Sequence, residues 1–276
     1  METILSNQEK QIRMRRFFRH GRTVIIPMDH PMYGGPVSGL EDPIQTIEKI
    51  ANTEADGILI SPWLIPRVSD VIGQLAVCAR LDGGNSCLGK RVDQATSIVS
   101  VRQAIKFGAE MVAINIFVGG DNEPEMFNKL GDIAMDCNEW GMPLLAEMIP
   151  YSALDHHYGR QEKAIEDPSK DDPIDIVTRM GAEYGGDMIK TIYSGDIDKF
   201  SQVTKHATVP VVVAGGPKTG SDKEFLAMVK DCMQAGAAGI TMGRNVWQRE
   251  RFEGMIAALC AIVHDDASVE EAILLL

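Results

Sequence analysis

Gly185-Gly186-Asp187-Met188-Ile189-Lys190-Thr191-Ile192-Tyr193, followed by Ile197 to His206 and then by Pro210-Val211-Val212-Val213-Ala214, reads as strand, helix, strand. The first run is apolar and β-branched and follows a helix-ending glycine pair. The last opens on a proline, which the first residue of a strand tolerates. A helix of this length between two strands implies parallel pairing through a right-handed crossover.

Outward from this unit the same alternation fills the chain. Strands are expected at Thr23–Asp29, Gly57–Ser61, Leu75–Leu81, Met111–Val118, Pro143–Ile149, Met188–Tyr193, Pro210–Ala214 and Gly239–Met242. Helices are expected near Pro43–Asn52, Ile65–Ile72, Asp93–Phe107, Pro124–Trp140, Pro173–Tyr184, Ile197–His206, Ser221–Ala235 and Arg251–His264. Eight such units make an α/β chain that closes as a single (β/α)8 barrel, with an open doubly wound sheet as the alternative. The even-numbered strands are entered through similar turns (Asp56-Gly57, Gly108-Ala109-Glu110, Gly185-Gly186-Asp187, Gly236 to Gly239), a weak internal repeat. The expected division is an N-terminal helical extension over 1–22 and a catalytic barrel over 23–276, with Gln11 to Arg22 as an amphipathic lead-in helix covering one barrel end. Residues Pro150 to Asp172 form a long polar loop expected to lie over the site.

Composition narrows the function. Hydrophobic residues make up 45% of the 276, enough for a full core, and the net charge of −12 argues against a nucleic-acid partner despite the basic lead-in. No apolar run reaches membrane-spanning length, and no signal peptide is read at the N-terminus. The five cysteines are scattered without C-x-x-C spacing, as expected of reduced thiols in a cytoplasmic protein.

Chemistry-bearing residues stand at strand ends. Lys190 lies inside an apolar strand, where a charge is costly. Burial disfavours the ammonium form, and a neutral amine is a nucleophile that condenses with carbonyls. A lysine snorkelling from a strand end is the plain alternative. Strand seven ends in Gly215-Gly216-Pro217-Lys218-Thr219-Gly220 and strand eight in Gly243-Arg244-Asn245, at the two strands after which this fold places phosphate. Glycine N–H groups with Lys218 and Arg244 suit such an anion. Asp29 ends the first strand and suits acid–base work, or is a turn aspartate. Glu147 either faces Lys190 as an ion pair or proton relay, or points outward to a helix. Asp29-His30 and His156-His157 lack the spacing of a shaped metal site, so no metal is expected. These histidines, with Tyr151 and Tyr158, read as substrate contacts or plain loop residues.

Pro27-Met28-Asp29-His30, Asp187-Met188-Ile189-Lys190-Thr191 with Tyr193-Ser194-Gly195-Asp196, Val213-Ala214-Gly215-Gly216-Pro217-Lys218 and Met242-Gly243-Arg244-Asn245 together resemble the archaeal-type class I fructose-bisphosphate aldolase family. That family includes amino-dideoxy-heptulosonate synthases and an autoinducer-processing phosphopentanedione thiolase. The resemblance implies a TIM barrel with the Schiff-base lysine at Lys190, an acid–base aspartate at Asp29, and phosphate held by Gly215, Gly216, Gly243 and Arg244. It also implies a homo-oligomer, a decamer of two stacked rings of five. The aldolase members carry a proton-donating tyrosine at the end of strand five, where this chain has Ile149. The thiolase branch lacks it too. Glu147, with Tyr151, is the expected substitute. The expected function is a metal- and cofactor-independent Schiff-base aldolase or transaldolase-type lyase on a phosphorylated ketose or related carbonyl. One alternative is a thiolase that cleaves a phosphorylated diketone with coenzyme A as acceptor. The other is a phosphate-ligand barrel, an isomerase or binding protein, in which Lys190 is merely structural.

Overall fold

Short β-branched runs bounded by Gly, Pro and Asp become the staves of a barrel. The computed structural model describes residues 8–89, 93–153, 172–216, 220–249 and 251–276. Eight parallel strands close on themselves in chain order: β1 (Thr23–Pro27), β2 (Gly57–Ile60), β3 (Ala76–Arg80), β4 (Met111–Val118), β5 (Leu144–Pro150), β6 (Met188–Ile192), β7 (Val211–Ala214) and β8 (Gly239–Thr241), with β8 pairing β1. Closure removes both sheet edges and rules out the open doubly wound alternative.

Side chains alternate along each strand, so one set fills the barrel and the other packs against the helices. The outer set belongs to the large cluster that includes Ile26, Ile58, Val77, Ile114, Ala146, Ile189 and Val213. The inner set is a separate cluster of Ile25, Leu59, Cys78, Ala113, Leu145, Met188 and Val212, closed from below by the fully buried Phe17. Phe17 lies in the N-terminal extension and belongs to the inner cluster of the barrel. The extension's helix runs Gln8–Met14 and not to Arg22. Beyond it the chain turns through His20 and Gly21, both at positive φ, into a bridge between Arg19 and Arg22.

The basic residues of this extension meet carboxylates that precede alternate strands. Lys10 contacts Asp187 at 2.8 Å, Arg16 contacts Glu110 at 2.9 Å and Arg19 contacts Asp56 at 3.3 Å. The same carboxylates accept N–H groups at the starts of the preceding odd strands: Asp56 from Val24, Glu110 from Val77 and Asp187 from Leu144. Three of the four entry turns read as an internal repeat thus hold an acid that caps one strand and anchors the extension; the fourth, Gly236 to Gly239, holds none.

Two helices are shorter than expected. Ile65–Val68 has Pro66 in its first turn, and beyond it the chain continues only as turns, with the Val71 and Ile72 N–H groups both donating to the Val68 carbonyl. The helix expected from Asp93 starts at Val101, because Ser100 caps it by accepting the Gln103 N–H. The stretch before it makes a small antiparallel ribbon, Thr96–Ser97 on Asp82–Gly83.

Candidate active site

Going up each stave by one inward-facing residue turns an apolar floor into a polar cleft. Ile25 is succeeded by Pro27, Cys78 by Arg80, Ala113 by Asn115, Leu145 by Glu147, Met188 by Lys190 and Val212 by Ala214; all six second-named residues line one cleft at the C-terminal end of the barrel. The period of two therefore sets this cleft-lining layer directly above the hydrophobic one.

Glu147 and Lys190 are paired in register, and the Lys190 Nζ lies 2.7 Å from Glu147 Oε1 with both side chains under a tenth exposed. Glu147 thus faces the lysine, which decides between its two readings. Asp29, just past β1, also lines the cleft. The glycines after β7 and β8 form the opposite wall with Arg244. Gly216 sits at φ +61°, and a side chain on Gly243 would strike the Pro27 carbonyl at 2.6 Å, so both turns need glycine. The fully buried Asn245 donates to the Gly215 carbonyl at 3.0 Å and holds the two turns together. Lys218, His156, His157, Tyr158 and most of the expected lid lie outside the described residues. Tyr151 is described, but it is not among the residues lining the cleft; its ring packs over Gly120, so the structure does not bring it to Lys190. Ile149 is fully buried.

Sequence reading missed Arg80. Its guanidinium donates from Nε to Asp29 Oδ2 at 2.8 Å and from Nη2 to Glu147 Oε2 at 2.5 Å, with Asp82 at 3.7 Å from Nη1. Burial works against its charge, but the carboxylates of Asp29, Glu147 and Asp82 outweigh that and hold it above the ordinary arginine range. Asp82 is in turn bound by Lys129 at 2.8 Å. An alternating chain of charge runs from Asp29 through Arg80 and Glu147 to Lys190, which fixes the two carboxylates relative to the amine. The signal was available: an arginine at the end of an apolar strand is as anomalous as the lysine of β6.

His30 lines the same cleft, its ring tilted on Tyr33 at 5.0 Å and edge-on to Trp247 at 5.6 Å. Burial first, then the charges of Arg244 and Lys190, lower its pKa from 6.5 to about 4 against the opposing pull of Asp29. The unfolded imidazole gains its proton near pH 6.5 and the folded one only near 4, so folding stability falls as the pH drops through that window. The slope is at most about 1.4 kcal/mol per unit, and less to the extent that the ring keeps solvent contact. His30→Phe should therefore lose less Tm than the native protein between pH 7 and pH 5, a difference of a few degrees by thermal melting. Parallel losses would refute the assignment of a neutral buried ring.

No group of three His, Cys, Asp or Glu side chains able to hold a metal occurs among the described residues, and no described helix is long and apolar enough to cross a membrane.

Comparison with known proteins places this arrangement. The model of the DeoC/LacD aldolase family matches residues 23–249. A 2-amino-3,7-dideoxy-D-threo-hept-6-ulosonate synthase of Halobacterium salinarum is 34% identical over 269 residues, covering 98% of this chain and 97% of its own. An uncharacterized aldolase of Saccharolobus solfataricus is 32% identical over 276 residues, covering 96% and 98%. Among solved structures, an archaeal fructose-1,6-bisphosphate aldolase with its catalytic lysine covalently bound to the carbinolamine intermediate matches with a TM-score of 0.80. It is 28% identical and covers 92% of this chain and 99% of that one. These relatives give the coenzyme A reading no support, and it is set aside. The barrel, its lysine-bearing cleft and a family match across most of the sequence make one conclusion: the chain belongs to the DeoC/LacD family of aldolases.

Proposed function

We propose that the protein is a class I aldolase that makes or breaks a carbon–carbon bond next to the carbonyl of a phosphorylated ketose or a related phosphorylated carbonyl compound. The observation that carries this reading is the 2.7 Å contact between the Lys190 amine and Glu147, enclosed in a cleft whose far wall is two glycine turns and Arg244. Glu147 accepts a proton from Lys190, and the freed amine adds to the ketone to give a carbinolamine. Loss of water, with a proton returned to the departing oxygen, leaves an iminium. In the cleavage direction the bond beyond the adjacent carbon breaks, and its electron pair flows into the iminium to make an enamine. The hydroxyl on the departing fragment gives up its proton to a carboxylate and leaves as an aldehyde. Protonation of the enamine and hydrolysis then release the second ketone and restore the amine.

Asp29 and Glu147 are the groups placed for these transfers, and Glu147 serves where the resembling aldolases use tyrosine. Gly215, Gly216, Gly243 and Arg244, with Lys218 on the same turn in sequence, hold the phosphate. A remote phosphate supplies binding energy for orientation, so substrates without it lose rate as well as affinity. Borohydride reduction in the presence of dihydroxyacetone phosphate tests the reading. A stable adduct should appear, and peptide mapping should place it on Lys190. An unchanged intact mass would overturn the imine mechanism.

A further inference from the structure

The peptide between Pro27 and Met28 carries Asp29 into the cleft, and it is clamped from both sides. Its N–H donates to the Leu59 carbonyl of β2 at 2.7 Å. Its carbonyl accepts the indole Nε1–H of Trp247 at 2.9 Å. The register between β1 and β8 ends at Ile25 and Thr241. Two residues above that level, a side chain takes over the bridging that the sheet no longer supplies.

Trp247 stands behind the cleft and not in it. Its side chain is 2% exposed, and it is not among the residues lining the cleft. Its backbone N–H donates to the Gly243 carbonyl at 3.1 Å, which ties the indole to the glycine turn after β8. A Cβ on Gly243 would lie 2.6 Å from the Pro27 carbonyl oxygen and 2.7 Å from the indole nitrogen, so the turn presses directly on this hydrogen bond. On its far side Gly39, at φ +88°, lies too close to the Trp247 carbonyl for any side chain. The ring also meets His30 edge-on. Buried indoles find a partner for their N–H, and a rigid bicycle held on three sides fixes where that partner sits. Asn245, two residues earlier, joins the β8 turn to Gly215 after β7. The two glycine turns and the arm bearing Asp29 are therefore one connected unit, with Trp247 as its link to β1.

We infer that Trp247 is a positioning residue: its indole fixes the end of β1 to the turn after β8, so that a phosphate seated on the glycine turns brings the reacting carbons into line with Asp29. The inference rests on the proposed imine chemistry and phosphate site and deepens them. It supplies the route by which binding energy from the remote phosphate is used for orientation at the reacting centre. Small misplacements of a catalytic group are costly, of the order of a hundredfold for 1 Å, so one hydrogen bond behind the cleft carries weight in the rate.

Dihydroxyacetone phosphate tests this without knowledge of the aldehyde partner. Borohydride trapping, read as intact mass, gives the half-saturation for imine formation. Proton NMR in deuterium oxide gives the rate at which its hydroxymethyl carbon exchanges: the iminium loses a proton to a carboxylate, and the enamine takes a deuteron back. Trp247→Phe should leave the half-saturation within about threefold and slow the exchange by about tenfold or more. Replacing Trp247 with 3-benzothienylalanine, a bicycle of the same shape without the N–H, should slow it similarly, and Asp29→Asn should show the same split. The inference is overturned if the benzothienyl variant exchanges within twofold of the native protein, or if Asp29→Asn does. It is also overturned if trapping weakens in proportion to exchange, which is the signature of a generally loosened site. Absence of any adduct with the native protein instead brings down the imine reading, and this inference with it.

Discussion

Lys190→Arg keeps a cation against Glu147 but loses turnover, by about 10⁴-fold or more in kcat/KM, because a guanidinium has no free lone pair with which to form an imine. The expected loss is chemical, not structural. The 2.7 Å contact to Glu147 and the buried position are compatible with a second cation, so the melting temperature should change little. Steady-state cleavage of a ketose phosphate, alongside a thermal melt, separates the two. Activity within tenfold of the native enzyme would show that the lysine is merely structural. Glu147→Gln isolates the proposed proton-transfer step: it removes the proposed base but leaves the amine and the glycine turns, and should cost about 10²–10⁴ in kcat with KM little changed. If Glu147→Gln turned over normally while Asp29→Asn did not, the relay would belong to Asp29 alone.

The positions of Lys190 and Glu147 were legible because strand periodicity is local. Once Met188 is assigned inward, Lys190 follows, and Leu145 carries Glu147 in the same way. Closure of the sheet was legible from the count of strand–helix units, and so was the place of the glycine turns after β7 and β8 at the mouth of the cleft. What stayed hidden depends on stagger between distant strands. Arg80 is 51 residues from Asp29 and 67 from Glu147, and nothing near it in sequence predicts that it bridges them. Asn115 stands beside Glu147 because β4 and β5 pair in register there, a neighbour that its own strand does not predict. The late start of the helix at Val101 was locally encoded in Ser100 and Gln103, a cap-type pair overlooked because Ala95 to Val99 continues the apolar pattern. Tyr151 shows the limit of sequence adjacency: it directly follows β5, yet its ring lies against Gly120 and it is not among the residues lining the cleft.

Arg80→Leu should be the most destabilising single change in the barrel interior. The guanidinium satisfies one oxygen of Asp29 and one of Glu147, with Arg80, Glu147 and Asp29 all under a tenth exposed. Removing one partner from a buried ion pair leaves the other charge without compensation, at a cost of about 3–5 kcal/mol. Glu147 retains Lys190, so the loss concentrates on Asp29, whose Oδ2 lies 2.8 Å from the Arg80 Nε. For a chain of this size the penalty corresponds to a fall in Tm of about 6–15 °C. Leucine also fills less of the cleft, so water can enter between the two carboxylates and relax their fixed spacing. Turnover should consequently drop in kcat more than in KM, since the proposed phosphate site after β7 and β8 is untouched. Arg80→Lys tests whether geometry or charge is responsible. A lysine restores one positive charge but cannot span two carboxylates with a planar fork, so it should recover part of the stability and little of kcat. Calorimetry and kinetics on the two variants decide the matter: a Tm within about 2 °C of the native protein for Arg80→Leu, well under the shift expected for a broken buried pair, would mean that the charge chain from Asp29 to Lys190 contributes nothing to the fold.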